Sequence, residues 1–370
     1  MRPRLTRWRQ MRVVAHALLA AAMILLPTAP ALASPHVMAE VLTLTLPDGR
    51  ITGEITAVQI DRRDHLWLLH RPATVSGGAR AAPPVLEFDA NGRFVRGFGG
   101  PGPGFDWPKV EHSLAVDGRG HVWVGGSYRD IQANADDMVL EFTTAGQFVR
   151  QIGGRGTSRG DRDTAAVHAP GDLFVDDVRR ELYVADGYGN RRVIVFDCET
   201  GEFRRMWSAF GAPPPTEPAS PPRLPGESFE PASGEGPPGF NGVHGVEIAR
   251  DGTVYVSDRN NQRIQLFTRE GRYIRQVFVD RNLPSPQSAS GIALSPDRHQ
   301  RLLYVADWGN SRLLIYDRAK LALLRTVGEA RGTAPGQFTG PHLLSVDRRG
   351  RLYVAEVQGR RVQRLTVTPR

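Results

Sequence analysis

The chain has 370 residues, a formal net charge of +8, 40% apolar residues, 40 Gly and 28 Pro. Gly and Pro together, about 18% of the chain, are too frequent for a helical bundle, and the apolar content is too high for a disordered chain. A single cysteine, Cys198, excludes an internal disulfide framework and a metal site built from cysteines.

At the N-terminus, Arg2, Arg4, Arg7, Arg9 and Arg12 precede an apolar run over residues 13–26, then Pro27 and the small-residue ending Ala31-Leu32-Ala33. This order predicts a secretory signal peptide over residues 1–33, cut after Ala33. The apolar run is too short to cross a bilayer comfortably. Cleavage removes five Arg and no acid, leaving 42 bases against 39 acids, or +3. A nucleic-acid partner is therefore not expected. The expectation is a single domain over residues 34–370, secreted or periplasmic, monomeric, and free of the membrane once the signal is cut.

The rest of the chain repeats itself. Each unit reads as a short apolar strand, an Asp-rich turn, and a strand ending in an acid or its replacement. A polar loop follows, then a strand opening near Arg and ending in an aromatic, a Gly turn and a last strand. Unit one starts at Val58 and unit two at Leu114, with further strands at 122–124, 139–142 and 148–152. Unit three has strands at 173–176, 182–186 and 192–196. Unit four is the clearest, at 246–248, 254–258, 263–267 and 273–277. Unit five follows at 292–294, 303–307, 312–316 and 323–327. Unit six opens at Leu344 and lacks a fourth strand, because only five residues follow Leu365. Four short strands per unit, six times over, predict an all-β six-bladed β-propeller. The alternating segment 41–46 is expected to supply the missing outer strand of blade six and close the ring. The Tyr183-Val-Ala-Asp186 and Tyr304-Val-Ala-Asp307 elements, with the Asn/Gly-x-Arg that follows them, resemble the NHL repeat over about residues 50–365.

Aligned on the first strand of each blade, the position two residues upstream holds Thr56, His112, Gly171, His244, Ser290 and His342. Histidine takes every second place. Alternate blades of a six-bladed ring are related by threefold rotation, so three imidazoles would meet at one mouth of the channel. That is a facial three-histidine site with open positions, suited to a catalytic zinc. His70 and His168 lie near the same face but break the period. His16, His36, His65, His121 and His299 read as signal, terminal or turn residues. Second strands return to the same face and end next to Arg71, Ser127, Tyr188, Arg259, Trp308 and Val357. Arg71 and Arg259 could fork a substrate carboxylate, and Tyr188 among cations is suited to act as a base.

This constellation resembles the catalytic core of the peptidyl-α-hydroxyglycine α-amidating lyase family, a six-bladed propeller. The resemblance implies zinc ligands at His112 in His-Ser-Leu, His244 in His-Gly-Val and His342 in Pro-His-Leu. It implies a catalytic tyrosine at Tyr188, in Asp186-Gly-Tyr-Gly-Asn-Arg-Arg192. Its two arginines match Arg259, in Asp258-Arg-Asn-Asn261, and Arg71, in His70-Arg71. It further implies cleavage of the C–N bond of a peptidyl- or N-acyl-α-hydroxyglycine to an amide and glyoxylate, with Tyr188 as base and Arg71 and Arg259 on the carboxylate. The sequence departs from the family where Leu343 follows the third histidine in place of an aspartate linked to calcium, so calcium is not expected. Gly189 and Leu266 stand where family cysteines would be. The substrate is expected to be a small molecule or peptide with a carboxylate.

Residues 211–239 lie outside the repeat and hold ten prolines. They read as a polar insertion between blades three and four, or as a partial lid, since such connections emerge on the histidine face. Two other functions fit the same fold: a binding or scaffold propeller without catalysis, and a metal-dependent hydrolase or lactonase acting on an anionic small molecule.

Overall fold

The computed structural model describes residues 32–129, 134–216, 234–279, 281, 287–328 and 330–368. The signal peptide expected over residues 1–33 therefore lies almost wholly outside the described residues, as does the middle of the 211–239 insertion. No helix among the described residues is long and apolar enough to cross a membrane. The regular structure is six four-stranded antiparallel sheets plus four short 3-10 turns. Blade one, for example, runs Glu54–Ile60, Leu66–Arg71, Val85–Phe88 and Phe94–Phe98, in that spatial order.

Burial explains the strand pattern. Second and third strands are sandwiched between neighbouring blades, so Arg192–Asp197 is buried along its whole length. Outer strands such as Tyr273–Phe278 are only half covered. Every second strand carries an aromatic ring in the same place: Trp67, Trp123, Tyr183, Tyr255, Tyr304 and Tyr353, all buried. These large side chains fill the wedge between blades, where a ring covers more apolar surface than a branched aliphatic. On the face opposite the histidines, an aspartate caps the turn between first and second strands. Asp61 Oδ1 accepts the Arg63 and His65 amides, and Asp117 Oδ1 accepts those of Arg119 and His121. Hence the Asp-rich turns of the repeat.

The acid that ends a second strand and the arginine that opens the third are one buried device. Arg192 Nε donates to Asp186, and Arg263 Nε to Asp258, each at 2.8 Å with both partners fully buried. Arg312 meets Asp307 and Arg361 meets Glu356 likewise. The other oxygen of the acid reaches back to the incoming loop. Asp186 accepts the His168 amide, Asp258 that of Asn241 and Glu356 that of Thr339. In blade two Gly126 replaces the acid, and Asp136 enters the space a side chain there would occupy to accept the Lys109 amide. In blade one His70 takes the place, with Nδ1 accepting from the Gly53 amide at 3.1 Å. In these five blades the held amide lies three residues before the mouth position that carries histidine in alternate blades.

Ring closure differs in register from the expectation. The closing strand is His36–Val41, paired antiparallel with Arg361–Thr368. It begins five residues before the segment 41–46. The alternating leucines do something else: Leu42, Leu44 and Leu46 pack half-buried against the cluster of Ile55, Leu86, Tyr353 and Val362 between blades one and six. Alternation marks one buried face, and that face is met here by side chains rather than by a hydrogen-bonded partner strand.

Candidate metal centre

His112, His244 and His342 come together at the axis. Their ring centroids are 5.1, 4.6 and 4.8 Å apart in pairs, at steep interplanar angles, and all three are at least 97% buried. One ligand nitrogen from each lies within 4.8 Å of the others. The intervening blades set the rings. His112 Nδ1 donates to the Gly171 carbonyl at 2.9 Å, and His342 Nδ1 to the Thr56 carbonyl at 2.5 Å. A carbonyl can only accept, so these two rings carry their proton on Nδ1 and keep a lone pair on Nε2. The Ser290 carbonyl stands toward His244. It already accepts from Ser257 Oγ at 2.7 Å, and His244 Nδ1 is left without a well-formed partner. Thr56, Gly171 and Ser290 are the non-histidine members of the alternating column, and their backbones are the second support of the site.

Glycine lets the blades come this close. A Cβ on Gly171 would lie 2.8 Å from the Val243 carbonyl, and one on Gly291 2.2 Å from that of His342.

Burial pushes all three imidazoles down, His342 to about 3 and the other two well below their ordinary value. Neighbouring cations, Arg71 and Arg259 for His112 and His342 and Arg259 for His244, add to this. The triad is neutral at neutral pH. Tyr188 completes it: its hydroxyl oxygen is 2.9 Å from His112 Nε2, 3.1 Å from His244 Nε2, and accepts from Arg259 Nη1 at 3.1 Å. One hydroxyl proton cannot satisfy both imidazoles, and His342 Nε2 has no hydrogen bond among the described residues. Converging, buried, unprotonated nitrogens without enough donors are what a divalent cation with nitrogen preference, such as zinc, would satisfy.

Five of the six expected site residues thus meet directly: His112, His244, His342, Tyr188 and Arg259. Arg71 is near enough to bear on His112 and His342, but its Nη1 donates to Glu54 at 2.8 Å and its Nε to the Glu111 carbonyl at 3.0 Å. His70 supports blade one, as described above. The His168 ring fills the space that a side chain on Gly189 would take, with a Cβ there only 1.7 Å from the ring. Leu343 is buried in the apolar cluster between blades one and two.

Two features escape a reading of the sequence. Asp172 and Glu247 line a cavity of about 130 Å³ in the channel, along the first strands. Burial pushes Asp172 up to about 7 and Glu247 to about 8. The visible signal was a carboxylate on an otherwise apolar or small-residue strand. Arg129, beyond the end of blade two's second strand, stacks on the Tyr188 ring with its guanidinium carbon 5.4 Å from the centroid. Only residues one or two places past the second strands entered the mouth column, and Arg129 is three past. Two more metal-capable groupings, Asp61/His65/Glu87 and Asp117/His121/Glu141, lie on the opposite face. Their carboxylates already meet Arg63, Arg96 and Arg150.

The NHL repeat model matches residues 240–267, a stretch that includes His244 and Arg259. NHL repeat-containing protein 3 of Homo sapiens is 27% identical over 290 residues, 76% of this chain and 72% of the relative. The Mus musculus protein of the same name is 27% identical over 296 residues. Among solved structures, virginiamycin B lyase from Staphylococcus aureus is similar with a TM-score of 0.52 at 13% identity, covering 90% of this chain and 99% of that one. A streptogramin B lyase gives 0.51 at 13% identity over 90% and 98%. An auxiliary nutrient binding protein from Bacteroides ovatus gives 0.56 at 12% identity over 90% and 77%. At these identities the structures speak for the fold. The chain is a six-bladed β-propeller with one stretch that matches the NHL repeat, and the solved structures similar to it in fold include proteins named as lyases.

Proposed function

We propose that the histidine mouth is a zinc-dependent carbon–nitrogen lyase site acting on a peptidyl- or N-acyl-α-hydroxyglycine, outside the cytoplasm. The observation that carries this reading is the contact of Tyr188 with two of the three axial histidines and with Arg259. Nε2 of His112, His244 and His342 would hold the metal. Zinc, when bound there, supplies Lewis acidity toward a substrate oxygen.

The chain's own residues do the rest. Arg259, with no carboxylate partner among the described residues, receives the substrate carboxylate, and Arg71 adds positive field, its Nε and Nη1 held by Glu111 and Glu54. Tyr188 takes the proton of the α-hydroxyl. The C–O electron pair then forms the aldehyde carbonyl of glyoxylate, the C–N bond breaks, and the nitrogen leaves as an amide carrying one added proton. The proton lost by oxygen balances the one gained by nitrogen. Arg259, touching the phenol oxygen, compensates the negative charge of the phenolate that accepts this proton, and the phenol so formed passes it to the departing nitrogen.

The test pairs the metal content of the purified mature protein with glyoxylate release from α-hydroxyhippurate. One zinc per chain and stoichiometric glyoxylate are expected. Zinc without glyoxylate would sink the lyase reading in favour of another reaction on an anionic substrate. Failure to take up offered zinc would sink the metal centre itself and favour a binding propeller.

A further inference from the structure

Two cations are exposed on blade two: Arg129, against Tyr188, and Lys109, over the Tyr128 ring. Arg129 Nη1 donates to the Tyr188 carbonyl at 3.2 Å, while its guanidinium overlies the ring. Arg259 approaches the same ring from the following blade, 5.0 Å from the centroid, and holds the hydroxyl end. The two guanidiniums thus mark the two ends of one tyrosine, Arg259 at the axis and Arg129 at the rim. Neither meets a carboxylate among the described residues, in a molecule where most arginines do. Lys109 Nζ lies 4.8 Å over the Tyr128 ring and also lacks an acid.

Among the described residues, the acids nearby are turned inward. Asp136 and Asp137 are buried, and Glu111 is buried against the Trp107 indole. The rim is also held rigid: the Asp136 carboxylate accepts the amides of Lys109, Val110 and Tyr128, binding together the loops that carry both cations. Loops already tied together in this way cost little further backbone ordering when an anion arrives.

The single carboxylate of an α-hydroxyglycine is met at the axis by Arg259. That leaves Arg129 and Lys109 facing the acyl side of the substrate. We propose that Arg129, with Lys109 behind it, binds a second carboxylate on the acyl or peptidyl portion, so that the preferred substrate is a dianion. This rests on the lyase reading for the orientation of the substrate.

The experiment uses the zinc-loaded protein with N-succinyl-α-hydroxyglycine and its terminal amide, N-succinamoyl-α-hydroxyglycine, which has the same length and no second charge. A charge-assisted contact predicts that kcat/KM favours the succinyl compound by about tenfold or more. R129Q should collapse that ratio toward one, and R129K should restore part of it, with melting temperatures unchanged. A wild-type ratio near one, or a ratio that survives in R129Q, overturns the proposal. N-acetyl-glutamyl- against N-acetyl-glutaminyl-α-hydroxyglycine reads whether a peptide side chain can supply the same carboxylate, again through a ratio lost in R129Q. Calorimetry with N-succinylglycine and N-succinamoylglycine, which lack the hydroxyl and cannot be cleaved, separates the two readings. A preference lost in R129Q without glyoxylate from any substrate would keep the anchor and discard the lyase.

Discussion

Tyr188 occupies a position that three groups contest. Its oxygen lies within hydrogen-bond range of two imidazole nitrogens and one guanidinium nitrogen, which is the placement the proposed proton transfer requires. Tyr188→Phe removes only that oxygen. The expected outcome is a loss of glyoxylate release by about 10²-fold or more with zinc content unchanged, measured on the same preparation by colorimetry and metal analysis. Variant activity within a few fold of wild type would remove Tyr188 from the chemistry. At this scale the sequence was partly readable. The three histidines declared themselves by alternation, because a threefold relation among blades leaves an arithmetic trace in the chain. Arg71 did not declare its partner: Glu54 lies across the strand pair from it, and nothing in linear order says which cation an acid will choose.

Blades three, four and six each carry a bracket, in which a buried acid grips an arginine with one oxygen and the incoming loop with the other. In blade four Asp258 holds Arg263 and the Asn241 amide, and so sets the height of His244. Arg263 has no exposed surface and also reaches the Gly239 carbonyl. Arg263→Ala leaves the Asp258 carboxylate buried and unpaired. A loss of about 3–5 kcal/mol is expected in urea unfolding, against a value within error for an exposed control such as Arg272→Ala. The acid–arginine pair is what made the strands legible, since in blades three to six it flanks the loop after the second strand five or six residues apart. The substitutions were harder. Only the structure shows that Asp136 and His70 do in blades two and one what Asp186 and Asp258 do elsewhere, since Asp136 comes from a loop and His70 is not an acid. The closing strand was misplaced by five residues because alternation in 41–46 marks a buried face without naming its neighbour.

For the whole molecule, the buried titratable groups set a pH optimum. His70, lowered to about 4, and the triad stay neutral in the folded state. The unfolded chain protonates them below about 6.5, so their contribution is lost as pH falls through that value. Asp172 and Glu247, raised to about 7 and 8, act in the opposite sense. Their protonated forms are favoured by folding, and that contribution is lost as pH rises from about 4 toward 8. Burial also raises Glu111, Asp136, Asp137, Glu141, Asp258 and Asp307, so imidazoles and carboxyls oppose each other between about pH 4 and 8. Chelated protein should therefore be most stable inside that range and lose stability toward both ends. Urea midpoints across pH check this, and stability that rises or falls throughout the range would contradict it. Added zinc should steepen the acid limb further, because it binds only neutral imidazole.

The strand His36–Val41 is made early and its partner, Arg361–Thr368, last, with Val37 opposite Val367. The ring therefore has no closed form until residues 361–368 have been made, and up to that point the first strand of the blade waits unpaired. Loss of a few C-terminal residues would do more than shorten an edge: it would free the first strand as well, and turn a closed ring into an open arc with two adhesive borders. His342 stands in that same blade, so the three histidines meet only where this blade is in place. A product cut within residues 361–368 would be prone to aggregate, and if it also lost the proposed zinc, metal content would gauge whether the circle has closed.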